Sequence, residues 1–443
     1  MEGFWPLVKR NNMIKAAYLV TGSGDSFYCG NCHRDRLYVS SLKKTGKVNM
    51  LGVPLYLPPI GSDFGDEIES PVFFGAVSMF LRERVKMFEH MPGFMDKILD
   101  APPLLRLAAR KAGATRTEGF EETTINMIRG DMANTAKEAR RLADYLSEGG
   151  KPDIIHLANA LIMGLGRQLK ELLGSKIVCS LQNEDEWIDE MVEPYRSQAW
   201  DLIKEGASNI DLFISPSEYF KRVVVEKTGI EPDSIHVVPS GLDEVIPLYN
   251  DRKSLNPAIG YYSRLSYQNG LDKLVDAYID IIKNRRIPSL ELHICGGYTA
   301  DNKTFINEQL KKLRKSGFDD RVKLYPSFSG KQKEEFFNSI NLMSVPVRKY
   351  DAYGLYILTA NSAGVPVVQP ATGAYPEIIE QTGGGILYSP DTVQKLGDTI
   401  CETLEDSEKI NEMGKRGRAA IEGKLSSASM AEKIFKSYNE VLT

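Results

Sequence analysis

The sequence predicts two α/β domains in tandem, each a doubly wound, Rossmann-like parallel sheet. Short apolar runs alternate with longer stretches of helical periodicity, which is the pattern of βαβ units. The alternation runs through the first half of the chain and starts afresh at Ala258. A length of 443 residues is too great for one small domain and suits two of similar size. In the first half the expected strands are Lys15–Val20, Val48–Val53, Asp153–Leu157, Lys176–Ser180, Asp211–Ser215 and Ile235–Val238. In the second they are Ala258–Tyr262, Leu290–Cys295, Val322–Tyr325, Leu342–Val345, Val365–Gln369 and Ile386–Tyr388.

Taken in order, Met1–Arg10 is too short and too charged for a secretory signal, and Met13, just before the first strand, is an alternative start. After that strand comes Gly22-Ser23-Gly24-Asp25-Ser26-Phe27, where Phe27 stands in place of the third glycine of a dinucleotide fingerprint. Cys29-Gly30-Asn31-Cys32-His33 matches haem attachment by letter, but nothing points to export. A structural loop is the simpler reading, with a redox or metal cysteine pair as the alternative. Five cysteines, an odd number at scattered positions, do not form a disulfide framework. Pro71–Gly113 breaks the alternation with aromatic and aliphatic residues mixed among seven Lys and Arg. It fits a packed lid or subunit contact, or a basic amphipathic surface for anionic lipid.

His156 closes the strand Asp153–Leu157. A lone strand-end histidine is commonly a hydrogen-bonded core residue, and the alternative is a cleft residue. Gln182–Glu186, with Glu184 at its centre, could hold hydroxyl groups or simply cap a helix. Asp243–Asn256 is polar, contains Pro247 and precedes Pro257, as an interdomain linker would. Beyond it, Arg264 ends a strand, where its guanidinium fork would suit phosphate oxygens or a salt bridge. Gly296-Gly297 reads as a tight turn, and Arg348-Lys349 as a phosphate-facing or solvated basic pair. From Asp351 the chain reads as a loop, a helix opening at Gly354-Leu355, a Gly364-Val365-Pro366 turn and a buried strand. A helix N-terminus of this kind can receive an anion such as a diphosphate.

These motifs together resemble the GT-B retaining glycosyltransferases of the large family-four type, from Ile14 to the last helix. Tyr28-Cys29-Gly30-x-Cys32-x-Arg34-Asp35 and Pro54-Leu55-Tyr56-x-Pro58 are similar to a bacterial subgroup. Asp351 and Thr359 hold the places of the family's two loop-and-helix glutamates, and Arg264 matches its diphosphate arginine. Asn269 takes the place of the family's lysine, Asp25-Ser26 that of a Gly-Gly pair, and Ala158 that of a second histidine.

The resemblance implies two Rossmann-like domains facing across a cleft. Residues 13–242 would form the acceptor-side domain, with an insertion at 71–130. A linker at 243–256 would lead to a nucleotide-sugar domain at 257–424, and 425–443 would pack back towards the first domain. It implies sugar transfer with retention from a nucleotide-diphosphate sugar to a glycan or lipid-linked acceptor, without metal or other cofactor. Arg264 and Asp351 would carry the catalysis, the latter holding sugar hydroxyls. Asn269, Lys349, Gly354, Leu355 and Thr359 would bind the donor, with Thr359 at the ribose. Asp25, Ser26, His156 and Glu184 would face the acceptor or cleft. The substitutions also admit a second function, that of a catalytically impaired partner subunit in polysaccharide or glycolipid assembly.

Composition excludes other classes. A net charge of −4 carries no basic signature of nucleic-acid binding. No apolar run approaches the ~20 residues of a membrane span. The expected place is the cytoplasm, with peripheral contact at the inner membrane face through 71–113 as an option.

Overall fold

The computed structural model describes residues 13–21, 28–56, 73, 117–130, 133–243, 245–247 and 256–443. Asp25, Ser26 and all of the 71–113 stretch but Phe73 lie outside them. The chain divides into two compact units. One is drawn from Met1–Asp25, Asn31–Pro239 and Met430–Thr443, the other from Ser26–Gly30 and Ser240–Ser429.

The first unit holds strands β1 (Ile14–Val20), β2 (Val48–Pro54), β3 (Ile154–Leu157), β4 (Lys176–Ser180), β5 (Leu212–Ser215) and β6 (Ile235–Val237). They pair in parallel in the order β2-β1-β3-β4-β5-β6. A parallel strand covered on both faces is apolar throughout, which is why β1 is buried at every residue but Lys15. The order reverses between β1 and β3, and their carboxyl ends flank the crevice where such sheets take ligands.

The second unit holds β7 (Ala258–Tyr262), β8 (Glu291–Cys295), β9 (Val322–Tyr325), β10 (Leu342–Met343), β11 (Val367–Pro370) and β12 (Gly385–Tyr388). Their order, β12-β11-β10-β7-β8-β9, is the dinucleotide-fold order with its reversal between β7 and β10. Most strand ends lie within a residue of the sequence reading, but one end of β10 and one of β11 fall two residues short. β10 stops early because the Val345 N–H leaves the ladder for Gln369 Oε1 at 3.0 Å. β11 starts late because Pro366 has no N–H to give and the Val365 N–H closes the preceding helix on Ala360 O at 2.9 Å. The described part of the expected linker is docked on this unit. Ile246 O accepts from Arg418 Nη1 at 2.9 Å, and Pro247 O from Asn338 Nδ2 at 2.9 Å.

The last helix, Ser427–Leu442, buries Met430, Ala431, Ile434 and Tyr438, one face at helical spacing. From Met430 onward it is part of the first unit. There the Tyr438 hydroxyl meets His156 Nδ1 at 2.7 Å.

Candidate functional site

The reversal point of the second unit gathers the loops that follow β7, β8 and β10. After β7 the chain runs from Ser263 to Gly270 and enters the helix Leu271–Lys283. After β10 it runs from Ser344 to Gly354 and enters the helix Leu355–Ser362. Gly270 lets these two loops touch. Its φ is +72°, and a Cβ there would stand 1.9 Å from Pro346 O. Arg348 fastens the same junction, with its guanidinium paired to both Asp272 carboxylate oxygens at 2.8 and 2.6 Å and laid over the Tyr267 ring at 3.6 Å. Its backbone N–H adds a bond to Gln268 O at 2.9 Å.

Arg264, the first cation after β7, is directed by the loop after β8. It donates to Thr299 Oγ1 at 2.7 Å and to Asn302 Oδ1 at 2.9 and 3.1 Å, with Asp301 Oδ2 at 3.5 Å. Asp351 Oδ1 receives the N–H groups of Tyr353 and Gly354 at 3.0 and 3.2 Å. That turn presents the head of the helix Leu355–Ser362, where the Ile357 N–H closes on Gly354 O at 2.8 Å and the Leu355 and Tyr356 N–H groups open the helix ahead of it. Lys349, in the same loop, is half-buried.

Two of the expected donor-binding side chains are turned into the protein. The Asn269 amide donates to Ser263 Oγ at 2.8 Å and accepts from Ser266 Oγ at 2.7 Å, so it closes its own loop. Thr359 is 5% exposed, and its hydroxyl donates back to Leu355 O at 3.0 Å. Both are short polar groups within reach of local partners, and such bonds win over projection into solvent. Tyr28 also belongs to this unit. Its N–H donates to Gly296 O at 2.7 Å, and its ring meets Tyr262 edge-on at 5.0 Å.

The first unit carries a buried polar cluster at its own reversal point. Arg34, wholly buried, donates to Leu181 O at 2.8 Å and Ala158 O at 3.2 Å, the residues just past β4 and β3. Glu184 accepts from the Ala160 and Gln182 N–H groups at 2.8 and 2.7 Å, and burial raises its pKa. Asp35 accepts from the Tyr18 hydroxyl at 2.8 Å, and burial raises it to about 6. His156 lies between Tyr438 Oη and Ser180 Oγ, at 2.7 and 2.8 Å. Burial, with the Arg34 charge second, holds it at about 3, so it is neutral near pH 7. His156 and Glu184 are therefore braces of the strand-end loops, with their polar atoms already used. Arg34 was the residue the pattern undervalued, although the Arg34-Asp35 pair was there to be read. Among the described residues no three His, Cys, Asp or Glu side chains gather as a metal site. Nor, among them, is any helix long and apolar enough to cross a membrane.

Residues 250–420 match the family model for glycosyl transferases group 1, and residues 110–245 that for Glycosyltransferase Family 4. The chain is a GT-B glycosyltransferase of the family-four type. It is 22% identical over 360 residues to a GDP-mannose-dependent monoacylated alpha-(1-6)-phosphatidylinositol monomannoside mannosyltransferase of Corynebacterium glutamicum, covering 75% of this chain and 89% of that one. To a D-inositol 3-phosphate glycosyltransferase of Nocardia farcinica it is 23% identical, over 54% of each chain. A lipopolysaccharide core biosynthesis mannosyltransferase of Rhizobium meliloti is 27% identical, with 37% of this chain and 47% of that one covered. The chain thus spans about half the length of the latter two. In fold it is similar to sucrose-phosphate synthase from Thermosynechococcus elongatus, with a TM-score of 0.69, 15% identity and 97% and 99% of the two chains covered. An Anabaena protein in complex with UDP and glucose gives a TM-score of 0.68 at 14% identity, with 96% and 100% covered.

Proposed function

We propose that the chain transfers a sugar, with retention, from a nucleotide-diphosphate sugar to a glycan or lipid-linked acceptor. The observation that carries this reading is the convergence of Arg264 and the Leu355 helix head on the reversal point of one parallel sheet. There the bond from the sugar's anomeric carbon to the donor diphosphate breaks, and the growing negative charge on the departing phosphate is met by Arg264, the helix N–H groups and Lys349. The acceptor hydroxyl forms the new bond on the same face, and its proton passes to the leaving phosphate. No protein base is required. Asp351 steadies the sugar hydroxyls with the carboxylate oxygen that its own turn does not use. A GDP-linked mannose is the first donor to try, since three of the sequence relatives are GDP-mannose-dependent by name.

The inward turn of Asn269 and Thr359 favours a second reading, an impaired homologue that acts as a partner subunit. Loss of a lysine–phosphate and a glutamate–ribose bond would weaken the donor by ~3–6 kcal/mol, or ~10²–10⁴ in affinity. Ligand-observed NMR with UDP, GDP, ADP and their common sugars separates the two readings. Saturable, competable binding of one nucleotide supports the transferase and names its donor. No binding at millimolar ligand sinks it.

A further inference from the structure

Tyr28-Cys29-Gly30 lies against four places at the second unit's reversal point. The Tyr28 ring covers Tyr262, the last residue of β7, and its N–H is held by Gly296 in the loop after β8. Gly30 is pressed to Tyr353, so that a Cβ on it would be 3.0 Å from the phenol oxygen and 3.3 Å from the ring. The Tyr28 hydroxyl is buried beside Thr359, outside good hydrogen-bond geometry, and burial pushes its pKa well above the phenol range. A buried hydroxyl with no acceptor is unfavourable, and here it stands against Thr359, the position where the family resemblance puts the ribose. The Thr359 hydroxyl, closed off in turn, points back to Leu355.

We propose that Tyr28 is an internal occupant of the donor site. Its ring takes the ground that the ribose of a nucleoside diphosphate needs, and the donor binds only as Tyr28 withdraws. The inference rests on the nucleotide-sugar reading above and adds a gate to it. The departures at Asn269 and Thr359 then have a common setting, a donor site held shut from within by a residue of the same chain. Apparent affinity is lowered by the fraction of molecules in which Tyr28 is out of the way.

The test uses the full chain as wild type, Tyr28→Ala and Tyr28→Phe, titrated with UDP and with GDP. If fewer than about one molecule in ten is open, Tyr28→Ala tightens the accepted nucleotide by about tenfold or more, while Tyr28→Phe, which keeps the ring and removes the unpaired hydroxyl, binds no tighter than wild type. Thermal unfolding of each variant identifies one that has failed to fold. In that event a 3-fluorotyrosine at position 28 of the otherwise unaltered chain gives the answer by fluorine NMR. Its resonance is expected to move from a buried to a solvent-exposed shift at saturating nucleotide. Equal or weaker binding by folded Tyr28→Ala, or an unmoved resonance in a nucleotide-bound protein, overturns the gate and leaves the transferase reading standing. If neither wild type nor Tyr28→Ala binds any nucleotide, both readings fall together.

Discussion

Arg264 is served by oxygen acceptors from its own chain, and Asp301 is the carboxylate among them. A phosphate must therefore compete with Asp301 for the same guanidinium. Asp301→Asn is expected to raise diphosphate affinity by a few-fold, since an amide no longer offsets the charge. Arg264→Ala should lower it by ~10–10², the worth of one charge-assisted bond of ~1.5–3 kcal/mol. Calorimetric titration with the accepted nucleoside diphosphate reads both, and an unchanged Arg264→Ala would remove this residue from the site. None of this competition was visible in the sequence. Arg264 was legible as a strand-end cation, but Thr299, Asp301 and Asn302 come from the next βα loop, and only the fold sets them beside it.

Among the elements, the strands were the most legible. All twelve expected strands are present within a residue or two, because the inner strands, buried on both faces, are unbroken apolar runs that set the alternation for the edge strands. The loops were not, because their geometry follows from close approaches that no periodicity records. At Gly270, Ala would combine a positive φ with a collision against Pro346 O. Gly270→Ala is expected to cost at least ~1–2 kcal/mol and to lower the unfolding midpoint, with nucleotide affinity lost alongside as the β7 and β10 loops part. A variant as stable as wild type would show that the loops slip past each other easily. The final helix makes a second test at this scale. Tyr438→Phe leaves His156 Nδ1 buried without its partner, at ~1–3 kcal/mol by denaturant unfolding. An unaltered midpoint would mean the bond contributes nothing net. From sequence His156 was open to both a core and a cleft role, since its second partner lies 282 positions away.

For the molecule as a whole, buried titrating groups of the first unit pull stability in opposite directions with pH. His156 is held at about 3 against an ordinary value of 6.5, so the unfolded chain takes its proton first. Its contribution is present above pH 6.5 and drains away as pH falls towards 3. Asp35 is raised to about 6 from 3.8, so its contribution is complete below 3.8 and is lost as pH climbs through 6. Glu184, also raised by burial, acts in the same sense as Asp35. Between pH 4 and 6 the slopes oppose each other. Asp35→Asn removes one of them, and the unfolding midpoint should then rise more steeply with pH across that window than in wild type. Identical slopes would mean that Asp35 does not titrate there. The placement of Met430–Thr443 in the first unit carries a different consequence, in the order of synthesis. Nearly two hundred residues of the other unit are translated before the helix that completes the first one emerges, although domains otherwise tend to fold as they leave the ribosome. During that interval His156 waits for Tyr438, and the surface that Met430 and Ile434 will cover stays bare. The nascent chain is thus expected to expose this apolar surface until that helix has been made. A ribosome-stalled chain ending at residue 429 should be cut readily by protease within its first 239 residues, where the released full-length protein resists.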